Sequence, residues 1–512
     1  MDRIRQVYLS FSRHERQLLR TYFEAFSQRG DDKALKFLTY LEERPTIEQA
    51  DLAELIYGNP KAKALTDLKK KIWQRMKEVT QLSVNRDHRK IAQVDPASQV
   101  QLELLHDLAH ALNLRMRGLN SLARELLQEI QAQAAAHGYP GLQLQALAML
   151  RSLALTVEEV TEHYNPLMAL TLEGYVSDLV SQAAMDQYGV AIRLERMTDE
   201  HELCAWLEET CVDLENRLNE HYSVRAYMHL LILQESLYRM QGKFDLAEEL
   251  IGELRSHLDA HPQLNTKYRE GLPFLHLAAI ELRAYRFAQA RETAHQALTR
   301  FRPGKRIYYR AILLEALSLI YLGAWDEASL MFNDLGEVPE TTDIGAMALV
   351  IEFVQLCICY LQDDLKVVQR ALQRDNPLTH DKRGWNVGLR LMEIMVLIDR
   401  EEYDAASSRV ETFRKYLERY EVISARSLAI FQYLYQLDRH SYDFQAVRDR
   451  AQILRAELEI APEWNPVGYE IIRFESWLRA HEADRPVPEV WREDMQALMQ
   501  QGGAKEEELP GR

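Results

Sequence analysis

The feature that most constrains the fold is a short pattern that recurs six times between residues 240 and 450. Each copy has a large residue and, three positions later, a small or β-branched one. The large residues are Phe244, Phe287, Trp325, Leu365, Tyr403 and Phe444, and the small ones are Ala247, Ala290, Ala328, Val368, Ala406 and Val447. Successive large residues are 43, 38, 40, 38 and 41 positions apart. Such regular spacing indicates one structural unit repeated along the chain.

Apolar runs with helical periodicity flank the copies, such as YMHLLILQESLYRM before the first and LAEELIGELRSHL after its large residue. Their i, i+3, i+4 spacing predicts amphipathic helices. Each unit is therefore interpreted as a helical hairpin. The large residue is expected to fill the space where the two antiparallel helices meet, and the small residue lets their backbones approach. Because one hairpin cannot bury its apolar face alone, neighbouring hairpins are expected to stack.

The composition agrees with an all-α fold. Of 512 residues, 47% are hydrophobic and 27% are charged, which is typical of a folded chain, and only 20 glycines and 15 prolines are present. So few turn-forming residues disfavour a turn-rich β architecture. A chain of this length exceeds one compact core, so several domains or an extended array are expected.

The repeated units resemble the tetratricopeptide repeat family. Its order of a small turn residue, an aromatic residue and alanine is matched by Gly242, Phe244 and Ala247, and again by Gly323, Trp325 and Ala328. The other copies have Tyr285, Asp363, Glu401 and Tyr442 in place of the glycine, and the period exceeds the family's usual value of about 34 residues. The resemblance implies a right-handed α-solenoid. It also implies a non-enzymatic scaffold that binds a protein or peptide in its groove.

Four regions are predicted from these patterns. Residues 1–95 form a basic N-terminal helical domain, residues 96–220 irregular helical repeats, residues 221–460 the tetratricopeptide-like repeats, and residues 461–512 capping helices and a mobile tail. The formal charge of −16 is uneven, because residues 1–95 hold 19 Lys and Arg against 14 Asp and Glu. This asymmetry suggests two regions that present different surfaces.

The N-terminal domain is predicted to hold helices near residues 13–28, 32–43 and 61–82, and one that Thr46 caps. This order resembles the winged-helix domain of bacterial transcriptional regulators that carry tetratricopeptide-like repeats. The resemblance implies DNA contacts by Lys69, Lys70, Lys71 and Arg75 on the last helix. However, no clear β-hairpin follows that helix, and consecutive lysines fan around a helix. A helical dimerisation or docking module is therefore the alternative to DNA binding.

A basic segment within the repeats is the main candidate site for a partner. Arg302, Lys305, Arg306, Tyr309 and Arg310 lie close together in sequence, and no acidic residue occurs from 293 to 314. Arginine and tyrosine are frequent at binding hot spots, so an acidic peptide, a carboxyl terminus or a phosphate is the expected ligand. The alternative is that the segment only neutralises nearby carboxylates.

Other residue groups give little support for catalysis or a cofactor. His106 and His110 have i, i+4 spacing, but no further metal ligand is identifiable, so they are interpreted as surface histidines. Cys204, Cys211, Cys357 and Cys359 have no zinc-site or disulfide spacing. The chain lacks the nucleotide-binding and nucleophile-elbow motifs. We therefore expect neither enzyme activity nor a cofactor.

The location is expected to be cytoplasmic. The first residues have no apolar core of a secretion signal, and the most apolar stretch, Gly345 to Leu361, is too short to span a membrane. This stretch is predicted to be a buried helix. Homo-oligomerisation remains open.

Overall fold

The computed structural model describes residues 2–11, 13–26, 33–44, 47–60, 63–86, 96–191, 200–262, 264, 266–335, 345–372, 385–419, 425–448 and 464–507. Within these ranges the chain forms 24 α-helices, one π-helix and no β-strand. It divides into two compact units, Met1–Asn165 and Pro166–Arg512. The all-α prediction is confirmed.

The first unit begins with five helices around a core of its own. They are α1 (Asp2–Ser10), α2 (Arg13–Phe26), α3 (Lys33–Glu43), α4 (Gln49–Tyr57) and α5 (Lys63–Arg86). Tyr8, Leu19, Phe37 and Leu41 are completely buried in this core. Gly58 ends α4 at a φ of 68°, a left-handed conformation that glycine adopts without steric cost. The expected cap Thr46 and residues 87–95 after α5 lie outside the described residues.

The rest of the first unit consists of α6 (Pro96–Met116), α7 (Asn120–Ala136), α8 (Pro140–Ser152) and a π-helix (Glu159–Tyr164). Neighbouring helices here pack on one another in chain order. Ala123 is fully buried, as expected for the small residue of a repeat, but Leu122 is 49% exposed.

The second unit starts with α9 (Asn165–Ala191) and α10 (Glu200–Glu220), and six hairpins follow. The first helices of the hairpins are α11 (Val224–Met240), α13 (Lys267–Arg283), α15 (Arg306–Tyr321), α17 (Gly345–Leu361), α19 (Trp385–Asp399) and α21 (Ala425–Arg439). The second helices are α12 (Phe244–Ala260), α14 (Phe287–Leu298), α16 (Trp325–Leu335), α18 (Leu365–Leu372), α20 (Tyr403–Arg419) and α22 (Phe444–Arg448). Each second helix begins at the large residue of the sequence pattern.

The turn between the two helices contains a left-handed residue in all six hairpins, and in the sixth Ser441 is left-handed as well, with a φ of 54°. The residue two positions before the large one has a positive φ: 71° at Gly242, 60° at Tyr285, 75° at Gly323, 64° at Asp363, 59° at Glu401 and 62° at Tyr442. An L-residue other than glycine is strained there. The hairpin geometry therefore requires a left-handed residue even where the sequence has no glycine.

The two residues of the repeated pattern differ in burial. All six small residues are completely buried, which agrees with close backbone approach. The large residues vary, from Phe287, which is fully buried, to Tyr403, which is 42% exposed. The expectation that every large residue fills the hairpin interior is therefore wrong for Tyr403. Its ring stacks instead on Tyr442 of the next hairpin, with centroids 5.0 Å apart.

Stacked hairpins give the second unit its core, because consecutive helices pack on each other along the chain. One continuous apolar cluster extends from α13 to the C-terminal helices. The fold is therefore an α-solenoid of tetratricopeptide-like hairpins, as predicted. The apolar stretch Gly345–Leu361 forms α17, within the predicted bounds. Among the described residues, none of the helices has both the length and the apolarity that crossing a bilayer requires.

Two more helices follow the hairpins, α23 (Phe474–Glu482) and α24 (Val487–Glu507). Trp477 and Trp491 are completely buried against the hairpins, so both helices belong to the core. Helix α24 continues to Glu507, within the region predicted to hold capping helices and a mobile tail. Gly502 is buried against the turn of the second hairpin.

Candidate partner-binding site

The basic segment of residues 300–310 connects the second and third hairpins. Phe301 is buried and anchors the segment, since a β-carbon on Gly271 would lie 2.5 Å from its ring. Gly304 turns the chain at a φ of 78°, and α15 then begins at Arg306. The segment is thus fixed at both ends, by an apolar anchor and by a helix start.

The structure places four of the five predicted contact residues at or near the surface. Arg302 and Lys305 are exposed, and Arg306 and Arg310 are partly buried on the first turns of α15. Tyr309 is only 5% exposed and belongs to the apolar core, so a surface contact by its ring is excluded. We call the remaining four cations, Arg302, Lys305, Arg306 and Arg310, the basic cluster.

An aromatic ring beside the basic cluster is covered by two further arginines. The guanidinium of Arg300 lies 4.0 Å from the ring centre of Phe274, and that of Arg255 lies 4.9 Å from it. Arginine on an aromatic face is held by cation–π attraction while it keeps its charge. Positive charge therefore extends from the loop onto α12 and α13.

The first helices carry arginine at nearly the same register. An arginine lies within the first three residues of α11, α13, α15 and α21: Arg225, Arg269, Arg306 and Arg426. Arg306 lies 19 residues before the large residue of its hairpin, and Arg426 lies 18 residues before its own. One residue of difference turns a side chain by about 100° around a helix, so both arginines lie on the first turns of their helices but not on the same face.

Arg426, near the start of α21, binds two carboxylates. Its Nε donates to Glu470 Oε2 at 2.6 Å, and its Nη2 donates to Glu470 Oε1 and to Glu475 Oε2, each at 2.7 Å. A fourth bond joins Nη1 to Glu475 Oε1 at 3.0 Å. Burial raises the pKa of Glu470 even though Arg426 opposes this change. The pKa of Glu475 is lowered, because the bonds and charge of Arg426 outweigh burial. Sequence reasoning missed this group, since 44 residues separate Arg426 from Glu470.

A second polar group lies inside the helix stack, between α9, α11 and α13. Glu235 is fully buried and accepts hydrogen bonds from Arg239 Nε at 2.7 Å and His276 Nδ1 at 2.5 Å. Burial alone would raise the pKa of Glu235, but the charges of Arg239 and His276 lower it to about 2. These charges satisfy one another across two hairpins, so they fix how the helices stack.

A serine and a histidine meet in the same stack, at 3.0 Å between Ser181 Oγ and His229 Nδ1. Burial, assisted by the charges of Arg269 and Arg225, lowers the pKa of His229 to about 3. A base with so low a pKa accepts protons poorly near neutral pH. This pair is therefore interpreted as a packing contact between α9 and α11.

The predicted DNA-contacting residues on α5 do not share one environment. Lys70 and Lys71 are exposed, whereas Lys69 is partly buried and donates to Gln49 Oε1 on α4 at 2.9 Å. The guanidinium of Arg75 lies 4.6 Å from the ring centre of Tyr22 on α2. Lys69 and Arg75 thus contact neighbouring helices, whereas Lys70 and Lys71 are exposed.

One side of α4 is acidic. An open cleft of about 650 Å³ is lined by Glu43, Arg44, Ile47, Glu48, Asp51, Glu54 and Leu55. Carboxylates on this surface repel nucleic-acid phosphates. They therefore oppose a DNA interface that would include α4.

The candidate metal and thiol residues have simpler environments. His106 is exposed, with its Nδ1 3.6 Å from Asp107, and His110 is exposed too. Among the described residues, no group of three or more His, Cys, Asp and Glu side chains could hold a metal ion. None of the four cysteines is in a disulfide; Cys211 and Cys357 are buried, and Cys204 and Cys359 are partly buried.

The described features define the class of protein as an all-helical protein of stacked hairpins. No protein-family model matches the sequence, and no curated protein matches it either. A solved structure described as a Rap protein complexed with Competence and Sporulation Factor resembles the chain at a TM-score of 0.43 and 12% identity. The match covers 79% of this chain and 99% of that chain. At this level the likeness has no bearing on the site.

Proposed function

We propose that the chain is a non-enzymatic scaffold whose second unit binds a carboxylate-bearing protein or peptide segment at the basic cluster. The observation that carries the proposal is the grouping of Arg302, Lys305, Arg306 and Arg310 within nine residues, at or near the surface. Arg306 and Arg310 lie on the first turns of α15. The planar guanidinium of arginine matches the fork geometry of a carboxylate.

The charge distribution supports an acidic partner. The whole chain has a formal charge of −16, so a surface with four cations and no acidic residue from 293 to 314 is a local reversal of sign. Opposite charge steers a partner to such a surface and excludes cationic competitors. The partly buried Arg306 and Arg310 are expected to contribute most, because their contacts are less screened by solvent than those of exposed residues.

The experiment is affinity capture from the native host by full-length chains, with captured proteins identified by mass spectrometry. The test variant is Arg306→Glu with Arg310→Glu. The control is Lys366→Glu with Arg370→Glu, which also reverses two charges at i, i+4 spacing but on the exposed face of α18. We expect the test variant alone to lose a partner that the wild type captures, while thermal unfolding changes little. Equal capture by both variants would remove the basic cluster from the proposal.

DNA binding by the first unit is the second candidate. It is favoured by the exposure of Lys70 and Lys71 on α5. It is opposed by the carboxylates along α4, among them Glu48, Asp51 and Glu54. A transcriptional regulator would use this unit for DNA and the second unit to sense a partner.

A further inference from the structure

Residues 464–472, which we call the turn loop, fold into a compact conformation that their own hydrogen bonds hold. The amide of Gly468 donates to the carbonyl oxygen of Asn465 at 2.9 Å, and Asn465 Oδ1 accepts from the amide of Val467 at 3.1 Å. Asparagine followed by proline, with glycine two residues further on, is a typical β-turn sequence. Trp464 Nε1 donates to the carbonyl oxygen of Glu470 at 2.7 Å and closes the loop.

Aromatic residues of the second and third hairpins hold one end of the turn loop. The ring of Trp464 stacks on Tyr285, with centroids 6.1 Å apart and 15° between planes, and meets Tyr321 edge-on at 5.4 Å. The same tyrosines bind its backbone. Tyr321 Oη donates to the carbonyl oxygen of Pro466 at 2.6 Å, and Tyr285 Oη donates to that of Trp464 at 3.3 Å.

The fifth and sixth hairpins hold the other end. A β-carbon on Gly388 would lie 2.4 Å from the carbonyl oxygen of Tyr469, so only glycine allows this approach of α19 to the turn loop. Tyr469 Oη lies 2.6 Å from Ser427 Oγ on α21. Glu470 is bound by the buried Arg426.

These contacts are of the kind by which a groove recognises a foreign peptide. Tyrosine hydroxyl groups donate to main-chain carbonyl oxygens, two aromatic side chains pack around one ring, and an arginine binds one carboxylate. The turn loop is also accessible from outside, since Asn465, Val467 and Gly468 are only partly buried. It thus leaves one side of itself open, while Trp464, Ile471 and Ile472 are buried in the apolar core.

Arg426 has a second carboxylate partner, so the turn loop can leave without making the buried guanidinium an unpaired charge. Besides Glu470, Arg426 binds Glu475, which belongs to α23 and not to the turn loop. An arginine left unpaired in a buried site is costly, but here one carboxylate remains when the other departs. A carboxylate of a partner can therefore bind Arg426 at the position that Glu470 leaves.

We propose that the surface formed by Tyr285, Tyr321, Gly388, Arg426 and Ser427 is a peptide-binding site that the turn loop occupies from within the same chain. The partner is a turn-forming protein segment with an aromatic residue before the turn and an aromatic–carboxylate pair after it. It displaces the turn loop and takes over its contacts. This surface is distinct from the basic cluster and is independent of it, so each proposal can fail alone.

The test uses a fluorescent nine-residue peptide, Trp-Asn-Pro-Val-Gly-Tyr-Glu-Ile-Ile, which is the sequence of residues 464–472, and the full-length chain. In the Trp464→Ala variant the internal turn loop loses its buried ring and competes less. We expect this variant to bind the peptide at least about tenfold more tightly than the wild type, as measured by fluorescence anisotropy. A peptide with Ala for its Trp and Gln for its Glu is expected not to bind.

Adding Gly388→Ala to Trp464→Ala is expected to abolish binding, because the new methyl group meets the place of the Tyr469 carbonyl oxygen. Equal affinity of the wild type and the Trp464→Ala variant, or binding that persists after Gly388→Ala, would overturn the proposal. If circular dichroism shows that Trp464→Ala does not fold, Tyr469→Phe takes its place. That variant loses the contact with Ser427 Oγ and is expected to bind about fivefold more tightly than the wild type. An unchanged affinity would overturn the proposal equally.

Discussion

Replacing Gly388 by alanine tests how closely the turn loop packs on α19. The added β-carbon would lie 2.4 Å from the Tyr469 carbonyl oxygen and 3.1 Å from Cζ of Phe353. Carbon and oxygen atoms in contact need about 1 Å more than the first distance allows. Because the nearest atom belongs to the backbone, no side-chain rotation relieves the clash. The turn loop must therefore move away from α19.

The size of the effect follows from two opposing terms. Alanine in a helix interior is favoured over glycine by about 1 kcal/mol. Forcing extra volume into a packed site costs roughly 1–3 kcal/mol, and this cost falls on the turn loop. The matched control is Gly252→Ala in α12, where a β-carbon would meet nothing within 4 Å. The control is expected to gain most of the 1 kcal/mol, and the Gly388→Ala variant is expected to lose stability overall.

The assay is hydrogen–deuterium exchange with mass spectrometry of the peptides that cover residues 464–472. A local cost of roughly 1–3 kcal/mol raises the open population of the turn loop by about 5- to 150-fold. We expect this acceleration in Gly388→Ala and none in Gly252→Ala. Unchanged exchange in Gly388→Ala, with stability equal to the control, would refute the described contact between α19 and the turn loop.

Three other perturbations test the turns, the buried charges and the α5 surface. Glu401→Gly is expected to stabilise the chain by up to about 1 kcal/mol in urea unfolding, because glycine relieves a φ of 59°. Glu235 is bound by the buried Arg239, and its folded-state pKa of about 2 lies below the unfolded value. The ionised carboxylate therefore stabilises the fold fully above pH 5, and this stabilisation is lost as pH falls towards 2. Glu235→Gln should thus cost about 3–5 kcal/mol at pH 7 and much less at pH 3 in the same assay. Lys70→Glu with Lys71→Glu should abolish any salt-sensitive binding of the full chain to mixed DNA fragments at about 50 mM salt.

Other results would contradict these expectations, and Tyr285→Gly is the comparison for Glu401→Gly. Tyr285→Gly should destabilise the chain, because the loss of the ring stack on Trp464 outweighs the relief of a φ of 60°. A gain in stability equal to that of Glu401→Gly would contradict a stabilising role of that stack. A cost of Glu235→Gln that is independent of pH would show that its charge does not matter. DNA binding that persists after both lysine reversals would move the interface away from α5, and no binding by the wild type would leave the first unit as a docking module.

The sequence was sufficient for the hairpins because their signals are local. A small residue three positions after a large one fixes where the second helix begins, as at Ala328 after Trp325. The left-handed turn was foreseeable only at Gly242 and Gly323. At Tyr285 the same conformation is imposed by stacking of the whole hairpin, which overrides the preference of the residue.

The contacts of the turn loop could not be predicted, because they join residues far apart in the chain. Tyr285 and Trp464 are separated by 179 residues, and neither has a periodic pattern that points to the other. The only signal was a concentration of aromatic residues around Pro466 and Gly468. Similarly, the sequence does not distinguish the adjacent Tyr308 and Tyr309. Tyr309 is buried because it lies on the face of α15 that packs into the core.

Photo-crosslinking in the native host tests the central claim, a partner at the basic cluster, most directly. Lys305 is replaced by the photoreactive residue p-benzoylphenylalanine in the full-length chain, and Lys366 on α18 is replaced in the same way as the control; both side chains are exposed. The account predicts a covalent adduct with one partner from position 305 that is absent from position 366, and loss of this adduct when Arg306 and Arg310 are also reversed in charge. The same adduct from both positions, or an adduct at position 305 that survives the charge reversal, would contradict it.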